Sequence, residues 1–314
     1  MAIVSTAFDT SSGYEVNSPL FKAGALRKIF DNTTKKVTQF YPLVTNDLKT
    51  DKLKETDLRL AGLEDAEELA EGQDIPLHTP TEGIEKTYTQ RQFGIGFRMT
   101  HKMDKFNKYD LWKRWTADMA RRQQNAKDIE IFVMFNTMTS TGLTCGVGFD
   151  TLAIANATHT GLATGTGDQY SNYLDAGLSQ AGLESARYYF KTLVDDMGHL
   201  MVANGDTLIV EPTLWPDAIE LTQSELKPGT DTNDVNIVRQ FGLKVKEIPR
   251  LTSTTCWFVI AKSDENYDYN VFTGMEPNFV VKDAPDASLD KVALSLQYFT
   301  YGWGDPRLLY CGNT

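Results

Sequence analysis

The stretch KYDLWKRWTADMARRQQNAKDIEIFVMFNTM, residues 108–138, constrains this chain more than any other. Trp112, Trp115, Met119, Ala126, Ile129 and Val133 recur at three- and four-residue spacing, with no glycine or proline among them. That is the signature of an amphipathic α-helix. At 1.5 Å per residue the helix runs to about 45 Å, whereas an average helix has only about 11–12 residues. A rod of this length is a spine along which the rest of the fold must be arranged.

The segments before the spine read as an arm and a hairpin. Residues 1–34 begin polar and then give a short amphipathic helix, SPLFKAGALRKIF, in which Leu20, Phe21, Leu26, Ile29 and Phe30 share one side. A helix this short is not stable alone and must lie on something. KKVTQFYPLV (35–44) reads as a strand whose end Pro42 turns into an edge or a bend. About 40 highly charged residues follow, too polar to form a core of their own and too long for an ordinary loop. Within them AEGQDIP (70–76) is a switch. Ala70 and Glu71 end a helix-like run, Gly72 breaks it, and Pro76 pushes Ile75 into extended backbone. KTYTQRQFGIGFRMTHKM (86–103) is the clearest strand, with Phe93, Ile95, Phe97 and Met99 alternating with Gly94, Gly96, Arg98 and Thr100. Strands 35–44 and 86–103 therefore bracket the charged segment as a long hairpin with an elaborate tip.

Residues 139–182 are rich in Gly, Thr, Ala and Asn and read as a connector with one short strand at DTLAIAN. From 181 an α/β pattern begins: a helix GLESARYYFKTLVDDM, a buried strand DTLIVEP, a helix TLWPDAIELTQS, then strands LKVKEIP and CWFVIAK. NFVVKD and KVALSLQYFTYGWGD close the chain as strands before PRLLYCGNT.

Charge and cysteine content narrow the function. The net charge of −11, from 42 acidic and 31 basic residues, disfavours tight binding to nucleic-acid phosphates. Arg121 and Arg122 on the spine are accordingly expected to meet carboxylates. Cys145, Cys256 and Cys311 are odd in number and far apart, which reads as buried, reduced thiols. No apolar run is long enough to span a membrane, and the first residues do not read as a secretory signal.

Chemistry-bearing motifs are weak throughout. Gly94-Ile95-Gly96 starts like a dinucleotide fingerprint, but Met99 stands in place of the last glycine and no helix opens there. GLSQA (177–181) lacks the second glycine of a nucleophile elbow. Asp195, Asp196 and His199 fall short of a metal site, and the EDAEEL run (64–69) lacks the frame of a calcium loop. No catalytic residue, cofactor or metal is expected.

The order of the parts resembles the major capsid proteins of tailed double-stranded DNA bacteriophages, the Hong Kong 97-type or Johnson fold. AEGQDIPLHTPTEGIEKTYTQRQFGIGFRMTHKM is similar to the family's extended loop and return strand, with Glu71, Gly72, Ile75 and Pro76 matching its phrase. DTLIVEPTLWPDAIEL and LTSTTCWFVIAK resemble the capsomer-centre subdomain. LQYFTYGWGDPR resembles the closing strand of the peripheral domain, with some likeness to Mu-type head subunits. The resemblance implies an α+β fold with an N-terminal arm (1–34), an extended-loop hairpin (35–102), a peripheral domain with its spine helix and connector (103–180), an axial domain (181–276) and peripheral return strands (277–314). It implies that Glu71, Gly72, Ile75, Pro76, Phe93, Gly94 and Gly96 contact a neighbouring subunit. It also implies that Trp112, Trp115 and Met119 pack the spine under the peripheral sheet. The implied function is a non-enzymatic shell subunit of the virion. It would be assembled in the bacterial cytoplasm as hexamers and pentamers, with a scaffolding protein, a portal and possible decoration protein as partners. It would enclose double-stranded DNA without reading its sequence. Two readings compete: an encapsulin-type compartment, and an α/β enzyme without a recognised motif.

Overall fold

The computed structural model describes residues 19–60, 66, 68–75, 77, 82–106, 110–139, 148–160, 169–195, 198–201, 203–227, 234–261, 269–284 and 290–313, the side chains of 19–22, 59–60 and 82–84 excepted. In chain order its elements are α1 (Pro19–Thr34), β1 (Asn46–Lys49), β2 (Lys54–Leu60), β3 (Glu82–Thr89), β4 (Arg91–Met99), α2 (His101–Lys105), α3 (Leu111–Asn136), β5 (His159–Thr160), β6 (Gln169–Tyr170), β7 (Tyr173–Asp175), α4 (Gln180–Thr192), β8 (Gly205–Val210), α5 (Trp215–Gln223), β9 (Lys244–Glu247), β10 (Trp257–Ala261), β11 (Tyr269–Asp283), β12 (Lys291–Trp303) and β13 (Leu309–Asn313). They fall into two units. The first takes Met1–Gln39, Arg91–Lys127 and Gly274–Phe299; the second takes Phe40–Gln90, Asp128–Thr273 and Thr300–Thr314.

The first unit is a sheet covered on one face by helices. β4 pairs antiparallel with β12 from Arg91↔Phe299 to Met99↔Lys291, and β12 is also hydrogen-bonded to β11. Period-two alternation sends Ile95, Phe97 and Met99 of β4 to one face, where they meet Trp112, Trp115 and Met119 of α3. Leu26 and Phe30 of α1 enter the same core, with Phe30 stacked on Phe279 of β11 at 5.3 Å between ring centroids. Polar staples fix the layers: Gln123 of α3 donates to the Phe93 carbonyl at 3.0 Å, and Gln297 of β12 donates to the Gln123 carbonyl at 3.0 Å.

The second unit is built on a mixed five-stranded sheet in the order β7-β13-β10-β8-β9. β10 runs antiparallel to β13 and β8, while β7 and β9 join parallel at the two edges. Every residue of β10 is buried, as befits a central strand. Leu183, Phe190, Leu208, Trp257, Val259 and Tyr310 belong to its core, with α4 supplying the first two. Ser179 caps α4 by accepting from the Gly182 amide, which gives the serine of GLSQA a structural role.

Several sequence expectations are corrected here. Residues 35–44 are not a strand: α1 runs to Thr34 and a 3-10 turn covers Tyr41–Leu43. The buried Asp128 carboxylate takes the Phe40 and Tyr41 amides, each at 2.9 Å, which a strand would have needed. The hairpin partner of β3 is instead β2, inside the charged segment, and the register sets Asp57 opposite Lys86 and Glu55 opposite Tyr88. Opposite charges in facing positions favour that pairing. The 86–103 strand is two strands split at Gln90, and from His101 its end is the helix α2, capped by Thr100. No helix covers Ala66 or 68–70; Glu64, Asp65 and Glu67 lie outside the described residues. Like charges four apart, as at Glu67 and Glu71, weaken a helix there. DTLAIAN is a buried loop rather than a strand. α4 stops at Thr192, not Met197, because Asp195 turns the chain back by donating its amide to the His199 carbonyl at 2.8 Å. PRLLYCGNT supplies β13, so residues 300–314 belong to the second unit rather than to return strands of the first.

Candidate assembly surfaces

The hairpin β2–β3 contrasts sharply with the strands around it. At its root, Gln90 donates its amide to the Leu53 carbonyl at 3.0 Å and its side-chain amide to the Phe272 carbonyl at 3.2 Å. Tyr88 is buried, with its ring 5.2 Å from that of Phe272. It lies so close over Gly302 that a Cβ there would come within 2.2 Å of the ring. Lys86 donates to the Trp303 carbonyl at 2.6 Å, with its ammonium 5.1 Å and 5.3 Å from the Tyr88 and Trp303 ring centroids. A half-buried cation over two aromatic faces helps hold the return strand.

Beyond that root the hairpin leaves apolar side chains in solvent. Leu58 is exposed, Ile75 is 73% exposed and Leu77 94%. Ala70 to Gln73 form a turn, closed by the Gln73 amide on the Ala70 carbonyl at 3.0 Å. Gly72 sits in it at φ 83°, a backbone region that favours glycine. Glu71, Gly72 and Ile75 thus all lie on the exposed hairpin segment; Pro76 lies outside the described residues.

The other predicted contact residues belong to the first unit. Phe93 stacks on Phe299 at 4.3 Å, and the Arg91 guanidinium lies 5.2 Å from the Phe93 ring centroid. Gly94 and Gly96 point to the opposite face of the sheet. The space a side chain would take there is filled by this chain's own Leu296 and Leu294, whose methyl carbons would lie 3.3 Å and 2.6 Å from the added Cβ atoms. The glycines admit cross-strand leucines, and β4 can lie tight on β12. Trp112 and Trp115 both pack on Phe97 at 5.6 Å, and Met119 is buried beside them. Trp112 donates from its indole nitrogen to Asp104 at 3.0 Å.

Sequence reasoning missed the buried charges. Asp128, 1% exposed, also receives Arg250 at 3.1 Å; its only trace in sequence is an acid on the apolar stripe of the spine. His159 is fully buried, with Nδ1 2.6 Å from Asp150 and its ring stacked on Tyr170 at 5.2 Å. Burial pushes the Asp150 carboxyl up, but His159 and the Leu152 amide outweigh it and hold the group below its ordinary range. Asp195 and His199 meet at 3.5 Å in a turn, not on a helix face, and Asp196 lies outside the described residues. Arg122 meets Asp118 at 2.8 Å, as expected for the spine arginines; Arg121 is exposed. Cys256 and Cys311 are free and buried, and burial pushes Cys256 up to about 12. Among the described residues no group of three or more His, Cys, Asp or Glu is placed to hold a metal, and no helix is long and apolar enough to cross a membrane. A concavity of about 270 Å³ in the second unit is walled by Leu183, Phe190 and Val259, and its charged groups are engaged by the chain itself, with Arg187 over Phe241 at 4.4 Å and Lys191 bonded to Asn204.

An α/β unit, a sheet carrying a spine helix and a hairpin make up a Hong Kong 97-type fold. The chain belongs to a phage capsid protein family, whose model matches residues 83–311. Among solved structures it is similar to a capsid protein of the cyanophage P-SCSP1u, with TM-score 0.57, 10% identity and 88% of each chain covered. It is similar to the procapsid protein of bacteriophage JBD30, with TM-score 0.52 and 11% identity, over 95% of this chain and 76% of that one. A virus-like particle from Pyrococcus furiosus gives TM-score 0.52 and 8% identity, over 92% and 98%. The fold is thus shared with particles of another origin, and the family match is what favours a phage shell over an encapsulin-type compartment. No curated protein matches the sequence. The protein is a structural component of a bacteriophage capsid shell.

Proposed function

We propose that this chain is the head subunit that assembles into hexamers and pentamers around double-stranded DNA, and that the β2–β3 hairpin reaches over a neighbouring copy. The observation that carries this is the hairpin itself. Its root is fixed by Tyr88 and Lys86, while Leu58, Ile75 and Leu77 are exposed. Exposed apolar side chains on a rigidly rooted arm are complementary to a second surface, not to solvent. In this reading the first unit, with α1, serves as arm and peripheral domain, and the second carries the axial domain. A scaffolding protein, a portal and a decoration protein are partners in the bacterial cytoplasm, and no catalysis is assigned.

The test is a chain in which residues 58–85 are replaced by Asn-Gly. This keeps the pairs Lys54↔Thr89 to Asp57↔Lys86 and closes them with a favourable two-residue turn. The subunit should keep its circular dichroism and unfolding midpoint, yet give no shells by electron microscopy under conditions where the full chain, with scaffolding protein if required, gives them. Normal shells from the shortened chain would sink the proposed role of the hairpin.

A further inference from the structure

The net charge of −11 conceals a sharp partition. The first unit carries 17 Lys and Arg against 10 Asp and Glu, a net +7; the second carries 14 against 32, a net −18. Within the first unit the two faces also differ. α1 and α3 cover the same side of the sheet, since Phe30, Trp112 and Met119 share one core with Met99 and Ala293. Their solvent sides therefore look the same way, away from the sheet. Arg27 and Lys28 of α1 and Arg114 and Arg121 of α3 are exposed on that side. Arg114 and Arg121 are seven residues apart, on one stripe and separated by about 10 Å along the axis. The neighbouring acids are largely spoken for: Asp110 pairs with Lys113 at 3.3 Å and Asp118 with Arg122 at 2.8 Å, leaving Asp31 as the acid beside Arg27 and Lys28. The opposite, sheet face shows Leu294 and Leu296 over Gly94 and Gly96, and its Arg98 is paired with Asp290 at 2.8 Å.

We infer that the helical face of the first unit is a polyanion-binding surface that lies against the phosphates of the enclosed double-stranded DNA. It rests on the reading of the chain as a DNA-enclosing head subunit. Dispersed cations on a helical layer, unpaired among the described residues, suit a uniform lattice of phosphates. Contact with phosphates alone carries no sequence information. The net −18 of the other unit keeps the DNA from adhering to the subunit as a whole.

The experiment measures binding of a fluorescent 24-base-pair duplex to the full chain by anisotropy as salt is raised from low concentration. The quadruple variant Arg27→Gln, Lys28→Gln, Arg114→Gln, Arg121→Gln is compared with wild type, and R114Q/R121Q with the charge-matched K244Q/K246Q of the second unit. Four phosphate contacts predict a log–log salt slope of about −3.6 for wild type. The quadruple variant should bind at least about tenfold more weakly with a slope near zero, and R114Q/R121Q should lose about half the slope while K244Q/K246Q keeps it. No duplex binding by wild type, or equal slopes in the two double variants, would overturn the inference. So would unchanged duplex binding in a quadruple variant that no longer forms shells, because the face would then be a contact for acidic residues of a second copy. Electron microscopy of the same samples keeps the two readings apart: a failure of wild type to form shells with its scaffold counts against the head-subunit reading, whatever the duplex result.

Discussion

β3 and β4 are neighbours in sequence, separated only by Gln90, and have different structural fates. β4 lies between a helix and a sheet partner: its Met99 is fully buried and its Phe97 touches two tryptophans. β3 has one partner strand, β2, and is held chiefly at its inner end by Tyr88 and Lys86. The difference teaches that alternation makes a strand but does not say what the strand is for. In β4 the apolar face completes a core within the chain. In the β2–β3 hairpin Leu58, Ile75 and Leu77 stay exposed.

Four substitutions sharpen or break that contrast. The largest effect is expected for Met99→Ala, which removes a fully buried side chain from the core of the first unit. It should cost about 2–5 kcal/mol in urea unfolding; a loss below about 1 kcal/mol would mean that β4 is no better anchored than the hairpin. Next is Gly302→Ala, which drives a methyl group into the Tyr88 ring. Overpacking of this kind costs about 1–3 kcal/mol, and faster amide exchange at β3 with no change at β4 would mark it as a local loosening of the root. Asp150→Asn tests the buried pair of the second unit. A carboxyl held below its ordinary value contributes stability that is present at neutral pH and is lost as pH falls through that depressed value. Wild type should therefore be the more stable at pH 7, with the gap to the variant closing below about pH 4; a constant gap would show that the carboxylate charge is not what matters. The smallest effect on stability is expected for Leu58→Ser, within about 0.5 kcal/mol for an exposed site. The same change should reduce shell yield, and a normal yield would remove Leu58 from the assembly surface.

The spine was legible because Trp112, Trp115 and Met119 repeat every three or four residues and face the sheet, although the same spacing leaves Ile129 49% exposed. The α/β order after residue 181 was legible for the same reason, in strands such as β8 and β10 whose apolar runs admit little else. The root of the hairpin was not. It depends on Gly302 and Phe272 meeting Tyr88 and on Trp303 meeting Lys86, residues that lie some 180 to 220 positions away in sequence. Pairing with β2 rather than residues 35–44 turned on Asp128, a single carboxylate that captured two amides. β13 was overlooked because Leu309–Asn313 is short, and its place between β7 and β10 is set by partners far away in the chain.

By itself, then, the sequence determined the local periodicities, the spine, the lack of a core in the charged segment and the overall order of parts, because these are properties of consecutive residues. Tertiary structure decided which strand pairs with which and that Gly94 and Gly96 accommodate this chain's own leucines. It also decided how a net charge of −11 divides into a basic unit and an acidic one. Those outcomes depend on contacts between segments remote in sequence, and on which side chains share a face, neither of which is encoded in the spacing of neighbouring residues.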